Sequence, residues 1–301
     1  MVVVGAAARD VAPDDPRGWR LGGGVTYGAL TLARLGLRTA CLIGLDGPAA
    51  EAREVDVLRA AGAEVVAQPL ERGPVFHNQE TAAGRVQRCL SLSDVLRPAA
   101  LPEAWRSAGA WLLAPVADEV DEAWAAAIPR AAVVGLGWQG LLRHLSPGAV
   151  VRRRAPAASA VVRRADIVGV SAADVEAGTS LGELLDLLRP GAVLAVTMGD
   201  RGGWLAVREA ADAAGPPRLV RYPAIPAGPP VDPTGAGDVF LAALLAARLE
   251  PRLAGGRSRR NLFLAAAAAS LVVEEPGLAG VPGVAAIADR LAEFRRLGAP
   301  T

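Results

Sequence analysis

The chain contains no lysine: all 32 of its basic residues are arginine. That absence excludes several mechanisms at once. A Walker A loop needs its lysine on the β/γ-phosphates, a protein kinase needs its strand lysine, and Schiff-base chemistry needs a side-chain amine. Enrichment in Ala, Gly, Pro and Arg accords with GC-rich coding. Cysteine is also scarce. Cys41 and Cys89 are the only two, which suits a reducing compartment where such thiols are structural. His77 and His144 are the only histidines, too few for a zinc site of the usual composition. Charge of one sign is lacking as well: 32 basic and 31 acidic residues leave +1, which argues against a general nucleic-acid binder. The longest apolar run, Leu262 to Val273, contains Ser270 and falls short of the roughly 20 residues of a bilayer span. It reads as a buried core helix, and no membrane span is expected. The start, Met1-Val2-Val3-Val4-Gly5, lacks a basic n-region and a long apolar h-region. It reads as a first buried strand rather than a signal peptide, and the expected location is cytoplasmic.

What is present is a core-forming chain. With 301 residues and 52% hydrophobic composition, the length allows one large α/β domain or two small ones. Short β-branched runs alternate with Ala- and Leu-rich stretches: Met1–Gly5 then Gly28–Leu35, Thr39–Gly44 then Ala49–Ala61, Ala110–Leu113 then Glu119–Ala127. The pattern continues through Ala131–Gly135, Asp166–Val170, Leu181–Leu188, Val193–Thr197, a helix from Val239 to Leu249, and Asn261–Val272. Such alternation predicts a mostly parallel central sheet with helices on both faces. Ligands then bind beyond the carboxyl ends of the strands. Two segments break the alternation: the polar, proline-punctuated Asp10–Leu21, and Gly73–Ser93, which reads as a β-hairpin turning at or near Ala82-Ala83-Gly84. With no internal repeat and no long linker, residues 1–301 are expected to form a single domain. Arg152-Arg153-Arg154, followed by Ala155–Ala158, reads as a solvated helix or loop face, given the balanced charge.

The most informative stretch is Val231-Asp232-Pro233-Thr234-Gly235-Ala236-Gly237-Asp238-Val239-Phe240. Gly235, Ala236 and Gly237 let the backbone bend so that several N–H groups converge at a helix N-terminus, where the helix dipole adds to them. That is an anion hole. A carboxylate at its mouth repels phosphate unless it has another task, and Asp238 is placed to take the proton of an attacking hydroxyl while the amides receive the charge of a transferred phosphoryl group. The plain alternative is that Asp238 is the helix N-cap.

Asp232 to Asp238, with small apolar residues following, resembles the C-terminal signature of the ribokinase-like (PfkB) carbohydrate kinase family. Gly22-Gly23 before Ala29-Leu30-Thr31-Leu32-Ala33-Arg34-Leu35-Gly36 is similar to that family's N-terminal di-glycine and A-x-x-L-A-R-L-G helix. Thr197-Met198-Gly199-Asp200-Arg201-Gly202 is similar to its nucleotide-side loop. The stretches Phe76-His77-Asn78 and Gly84-Arg85-Val86-Gln87 resemble the lid of inositol-kinase-like members. The resemblance implies a ribokinase-like α/β fold with a small β lid built from about 10–24 and 73–93, which is also where a homodimer would form.

It further implies ATP-dependent phosphoryl transfer to a hydroxyl of a sugar, polyol or nucleoside, with Mg2+ and no nucleic-acid or membrane partner. Asp238 would be the base and Gly235, Ala236 and Gly237 the anion hole. On the acceptor side Asp10 would take hydroxyls, Gly22 and Gly23 would admit the substrate, and Asn78, Arg85, Gln87 and Gln139 would add polar contacts. For the lid residues a solvent-facing hairpin position is the competing reading. On the nucleotide side Thr197, Gly199, Gly202 and Thr234 would lie by the phosphates, where an ordinary strand-to-hairpin turn is the alternative. Asp232 and Thr234 match positions that help hold a monovalent cation such as K+. The family's N-x-x-E motif reads Ser171-Ala172-Ala173-Asp174 here. Asp174 keeps a carboxylate on a shorter arm, which leaves magnesium held mainly through ATP and water. That departure is the only support for a second reading, a sugar- or nucleotide-binding pseudokinase without efficient turnover.

Gly135-Leu136-Gly137-Trp138-Gln139-Gly140 matches a dinucleotide-binding fingerprint, but Leu141 to Leu145 leaves too little room for the required helix before Ser146-Pro147-Gly148. The fingerprint also comes after more than one hundred residues of alternation, late for such a motif, so a dehydrogenase fold is rejected.

Overall fold

The computed structural model describes residues 1–81, 84–208, 215–250, 253 and 258–297, without the side chains of 80, 81, 84, 85 and 258. Its centre is a nine-stranded sheet. Strands β1 (Val2–Ala6), β4 (Ala40–Leu45), β5 (Glu64–Pro69), β8 (Ala110–Leu113), β9 (Val133–Gly137), β12 (Ile167–Ser171) and β13 (Val193–Thr197) run parallel. Strands β14 (Gly203–Val207) and β15 (Arg218–Tyr222) extend the sheet antiparallel, giving the order β15-β14-β13-β12-β9-β8-β1-β4-β5. The helices are α1 (Gly24–Arg34), α2 (Gly47–Ala50), α3 (Arg53–Ala60), α4 (Ala123–Ala127), α5 (Ala160–Arg164), α6 (Leu181–Asp186), α7 (Ala236–Leu249), α8 (Ser258–Val272) and α9 (Val284–Arg296).

Successive side chains of a strand point to opposite faces, so uninterrupted apolar strands need a core on each. Val3, Cys41, Ile43, Leu112 and Ala195 pack with α1, α3, α7, α8 and α9. Their neighbours Val2, Val4, Leu42, Trp111, Leu113, Leu194 and Val196 pack with α4, α5 and α6. Two indoles of the second core donate to backbone carbonyls: Trp111 to Ala108 O at 2.9 Å and Trp124 to Leu96 O at 2.9 Å, as buried indole N–H groups require. Among the described residues no helix is long and apolar enough to cross a membrane.

The two segments outside the alternation form a four-stranded sheet, β3-β2-β6-β7, from β2 (Ala8–Val11), β3 (Trp19–Gly22), β6 (Val75–Thr81) and β7 (Gly84–Ser91). Residues 82 and 83, at the expected turn, and the Arg85 side chain lie outside the described residues. Asp10 belongs to this lid, on β2. A two-stranded hairpin, β10 (Arg143–His144) and β11 (Arg152–Arg153), passes beneath the lid and reaches it through a bridge between Arg88 and Val150. The arginine run expected on a helix or loop is thus partly a strand, pinned by the Val151 N–H donating to Gln87 O at 2.8 Å.

Several expected helices differ: α1 and α8 begin early, at Gly24 and Ser258 instead of Gly28 and Asn261. Ala49–Ala61 is broken into α2 and α3 because Ala52 is extended and buried, the N-cap of α3. Glu119–Ala127 begins only at Ala123: Glu119 is fully buried and accepts from the N–H groups of Ala6, Val116 and Ala117, while Asp118 adopts φ 65°. A side chain that closes its own loop in this way competes with helix formation. Helix α7 starts at Ala236, three residues early, because Gly235 takes the left-handed conformation of its cap. Asp238 therefore sits inside the first turn and is not the N-cap. Strands β5, β14 and β15 and helix α9 were not anticipated.

Candidate active site

A cleft of about 1130 Å³ opens at the carboxyl ends of the parallel strands, under the lid. That exceeds the roughly 300–1,000 Å³ of single-ligand pockets and leaves room for two ligands. Asp238 lines it, within electrostatic reach of Arg143 and Asp174. Gly235, φ 82°, turns the chain into α7, and a Cβ there would stand 2.4 Å from the Tyr27 ring. Only glycine suits that position. The first-turn N–H groups of Ala236, Gly237 and Asp238 have no partner further back in the helix, and Gly237 faces open space.

A second helix N-terminus meets the first here. Gly23, φ 93°, caps α1, and a Cβ on Gly24 would lie 2.7 Å from Asp238 Oδ1. Asp238 is partly open to the cleft and enclosed elsewhere. Desolvation raises its pKa to about 6, with Arg143 pulling it down and Asp174 pushing it up.

On the lid side the polar residues form a relay. Gln87 Nε2 donates to Asn78 Oδ1 at 2.8 Å, and Asn78 Nδ2 donates to Asp10 Oδ1 at 3.1 Å. Asp10, Asn78, Gln87 and Gly23 all line the cleft. Gly22 does not; it makes room for Asp10, whose Oδ2 would be 2.5 Å from a Cβ there. Phe76 and Val116 close this end with apolar surface.

On the opposite side Thr197, Gly199, Gly202 and Thr234 line the cleft. Met198 N–H donates to Gly202 O at 2.8 Å, and a Cβ on Gly202, φ 77°, would fall 2.1 Å from Tyr222 O. Gln139 belongs here and not with the Asp10 relay: its Nε2 donates to Asp174 Oδ1 at 3.0 Å. Asp174 Oδ2 accepts from Ser171 N–H at 3.3 Å. Asp174 faces the cleft as a single carboxylate, and among the described residues no group of three His, Cys, Asp or Glu could hold a metal. The donor set fits an ion reached through water. Asp232 lies off the cleft, with one oxygen accepting from Thr234 N–H at 2.9 Å and the other from Gly277 N–H at 3.2 Å.

Beyond Thr234 the cleft continues as a slot between Tyr222–Gly228 and Ala266, Ala269, Ser270 and Val273 of α8 and the residue after it. Arg290 of α9 holds this slot open. Its Nη1 donates to Pro226 O at 3.0 Å and Ser270 Oγ at 2.9 Å, and its Nη2 donates to Glu274 Oε1 at 2.7 Å, which also accepts from Gly228 N–H. Sequence reasoning missed the slot, Arg290 and Arg143. The slot is apolar and reads as core, and the two arginines stand outside every motif.

Residues 147–282 match the profile described as pfkB family carbohydrate kinase. No curated protein matches the chain. Solved structures match nearly its whole length. A pyrophosphate-dependent kinase in the ribokinase family, complexed with a pyrophosphate analog and myo-inositol, is 19% identical with a TM-score of 0.71, over 97% of this chain and 100% of that one. The nucleoside kinase of Methanocaldococcus jannaschii is 18% identical with a TM-score of 0.69, over 97% and 98%. Ribokinase of Arabidopsis thaliana, complexed with ribose and ATP, is 19% identical with a TM-score of 0.64, over 96% and 97%. The chain thus has the ribokinase-like fold throughout, and the part of it that carries the glycine turn and Asp238 matches the pfkB family of carbohydrate kinases.

Proposed function

We propose that the chain transfers the terminal phosphoryl group of ATP to a hydroxyl of a small sugar, polyol or nucleoside. The observation that carries this reading is the position of Asp238, between the Asp10 relay on one side and the glycine turn and slot on the other. Asp10, oriented by Asn78 and Gln87, accepts hydrogen bonds from acceptor hydroxyls. Asp238 takes the proton of the attacking one. The N–H groups of Gly235–Asp238 receive the charge that develops on the phosphoryl oxygens. The apolar slot beyond Thr234 has the character of a base and ribose site, which favours a nucleotide donor over pyrophosphate. Magnesium carried by the phosphates would be held from Asp174 through water, and supplies charge neutralisation there.

The test is a turnover panel of pentoses, hexoses, inositols and nucleosides, each with ATP and with pyrophosphate. Phosphorylation with ATP supports the reading, and turnover with pyrophosphate alone removes the nucleotide donor. Binding without turnover in any combination returns the chain to the pseudokinase reading. With the acceptor in hand, Asp10→Ala is expected to raise the acceptor KM and leave that of ATP unchanged.

A base must be ionised to act. Because burial holds Asp238 near a pKa of about 6, kcat/KM is expected to fall tenfold per unit as pH drops below that value and to level off above it. A pH-rate profile flat down to pH 4.5 would remove Asp238 as the base.

A further inference from the structure

The hairpin of β10 and β11 sets two arginines side by side. Arg143 pairs directly with Arg153 in antiparallel register, so both side chains leave the same face, and both line the cleft. Like charges directly opposite on neighbouring strands destabilise the pair. An anion between them reverses the sign.

Both guanidiniums are steadied from behind. Arg143 stacks 5.4 Å over the Phe76 ring and donates to Val116 O at 3.2 Å. Arg153 Nε donates to Ala173 O at 2.8 Å, next to Asp174. One cation therefore stands on the side of Asp238, whose ionisation it favours, and the other beside the Ser171–Asp174 loop. Both line the cleft that Asp238, Thr197 and Gly199 also line. In phosphoryl transfer negative charge is spread over the three equatorial oxygens of the moving group, where nearby cations neutralise it.

We propose that Arg143, assisted by Arg153, is a catalytic residue that binds the transferred phosphoryl group and supplies positive charge to its oxygens. The inference rests on the kinase reading above. In the transfer itself the acceptor oxygen forms its bond to phosphorus as the bond to the ADP oxygen breaks. The acceptor proton goes to Asp238, and the arginines exchange no proton. A planar guanidinium suits the phosphoryl oxygens because it donates in pairs. In a chain without lysine such a cation has to come from arginine or one of the two histidines.

The test compares Arg143→Gln, Arg143→Lys and Arg153→Gln with the unaltered protein. For Arg143→Gln, kcat is expected to fall on the order of 10²- to 10³-fold with the acceptor KM unchanged, and the acidic limb of the pH profile is expected to move upward. Arg143→Lys should recover part of the rate, and Arg153→Gln should lose less than Arg143→Gln. Calorimetry with a non-hydrolysable ATP analogue and with ADP gives a second readout that needs no turnover. Arg143→Gln is expected to lose, on the order of tenfold, preference for the analogue over ADP. If the unaltered protein turns over no acceptor, the kinase reading falls while this binding comparison still decides the role of Arg143. A raised acceptor KM with kcat intact makes Arg143 an acceptor contact and overturns the proposal. So does an unchanged preference between analogue and ADP.

Discussion

Asp238→Asn is expected to bind ATP and acceptor as the unaltered protein does and to turn over roughly 10²- to 10⁴-fold more slowly, the usual contribution of a general base. The substitution changes almost nothing in shape. Asn keeps the side-chain volume beside Gly24 and in the first turn of α7, but its amide cannot take a proton at neutral pH. Loss of turnover with both dissociation constants preserved therefore isolates proton transfer from binding. Single-turnover kinetics with calorimetry on the same preparation measures both. Turnover within threefold of the unaltered protein would show that the hydroxyl loses its proton elsewhere.

Gly235→Ala should be nearly as damaging, through geometry. Its φ of 82° costs an L-residue about 1–2 kcal/mol, and the added methyl would meet the Tyr27 ring at 2.4 Å. The ring is buried and cannot withdraw, so the turn must move and carry the N–H groups of Ala236 and Gly237 with it. Removing one oxyanion donor typically costs 10²- to 10³-fold, and displacing the turn is expected to lower kcat at least ~100-fold. Gly36→Ala provides the control: it has the same φ of 82° with nothing within 4 Å of the added carbon. It should lose some thermal stability and keep its kcat. Equal kcat losses in the two variants would mean that strain alone, and not the anion turn, explains the effect.

Six of the seven parallel strands were legible because nothing polar interrupts their apolar runs: Ala110–Leu113 and Val193–Thr197 lie where those runs put them, whereas β5, with Glu64 and Gln68, escaped. The glycine turn was legible for a related reason, since positive φ at Gly235 leaves few choices of residue. What escaped depends on partners distant in the chain. Glu119 reads as a helix residue until Ala6, more than one hundred residues away, is seen to donate to it. Gln139 was placed with the acceptor because its strand ends there. Only the fold shows Asp174, 35 residues on, accepting its amide. Arg152 and Arg153 are exposed, as the solvated run suggested, but composition does not reveal that Arg143 lies opposite Arg153. Local pattern fixes which residues form elements, and long-range register decides which of them meet.

The carboxyl at the junction of α1 and α7 also has a thermodynamic side. Below pH 3.8 the Asp238 side chain is protonated whether the chain is folded or not, and it contributes no pH dependence. Between 3.8 and about 6 the unfolded chain releases the proton while the folded one keeps it. The contribution of this one group to folding stability therefore declines through that interval and stays reduced above it, against the opposite trend from carboxylates such as Asp15 and Glu54, whose pKa values are lowered. The difference amounts to about 3 kcal/mol at neutral pH, a large share of the 5–15 kcal/mol by which domains are typically stable. Asp238 is thus a standing load on the native state at the pH where it would serve as a base. Neutral replacements at this position should be recovered readily by any selection for heat resistance that ignores activity.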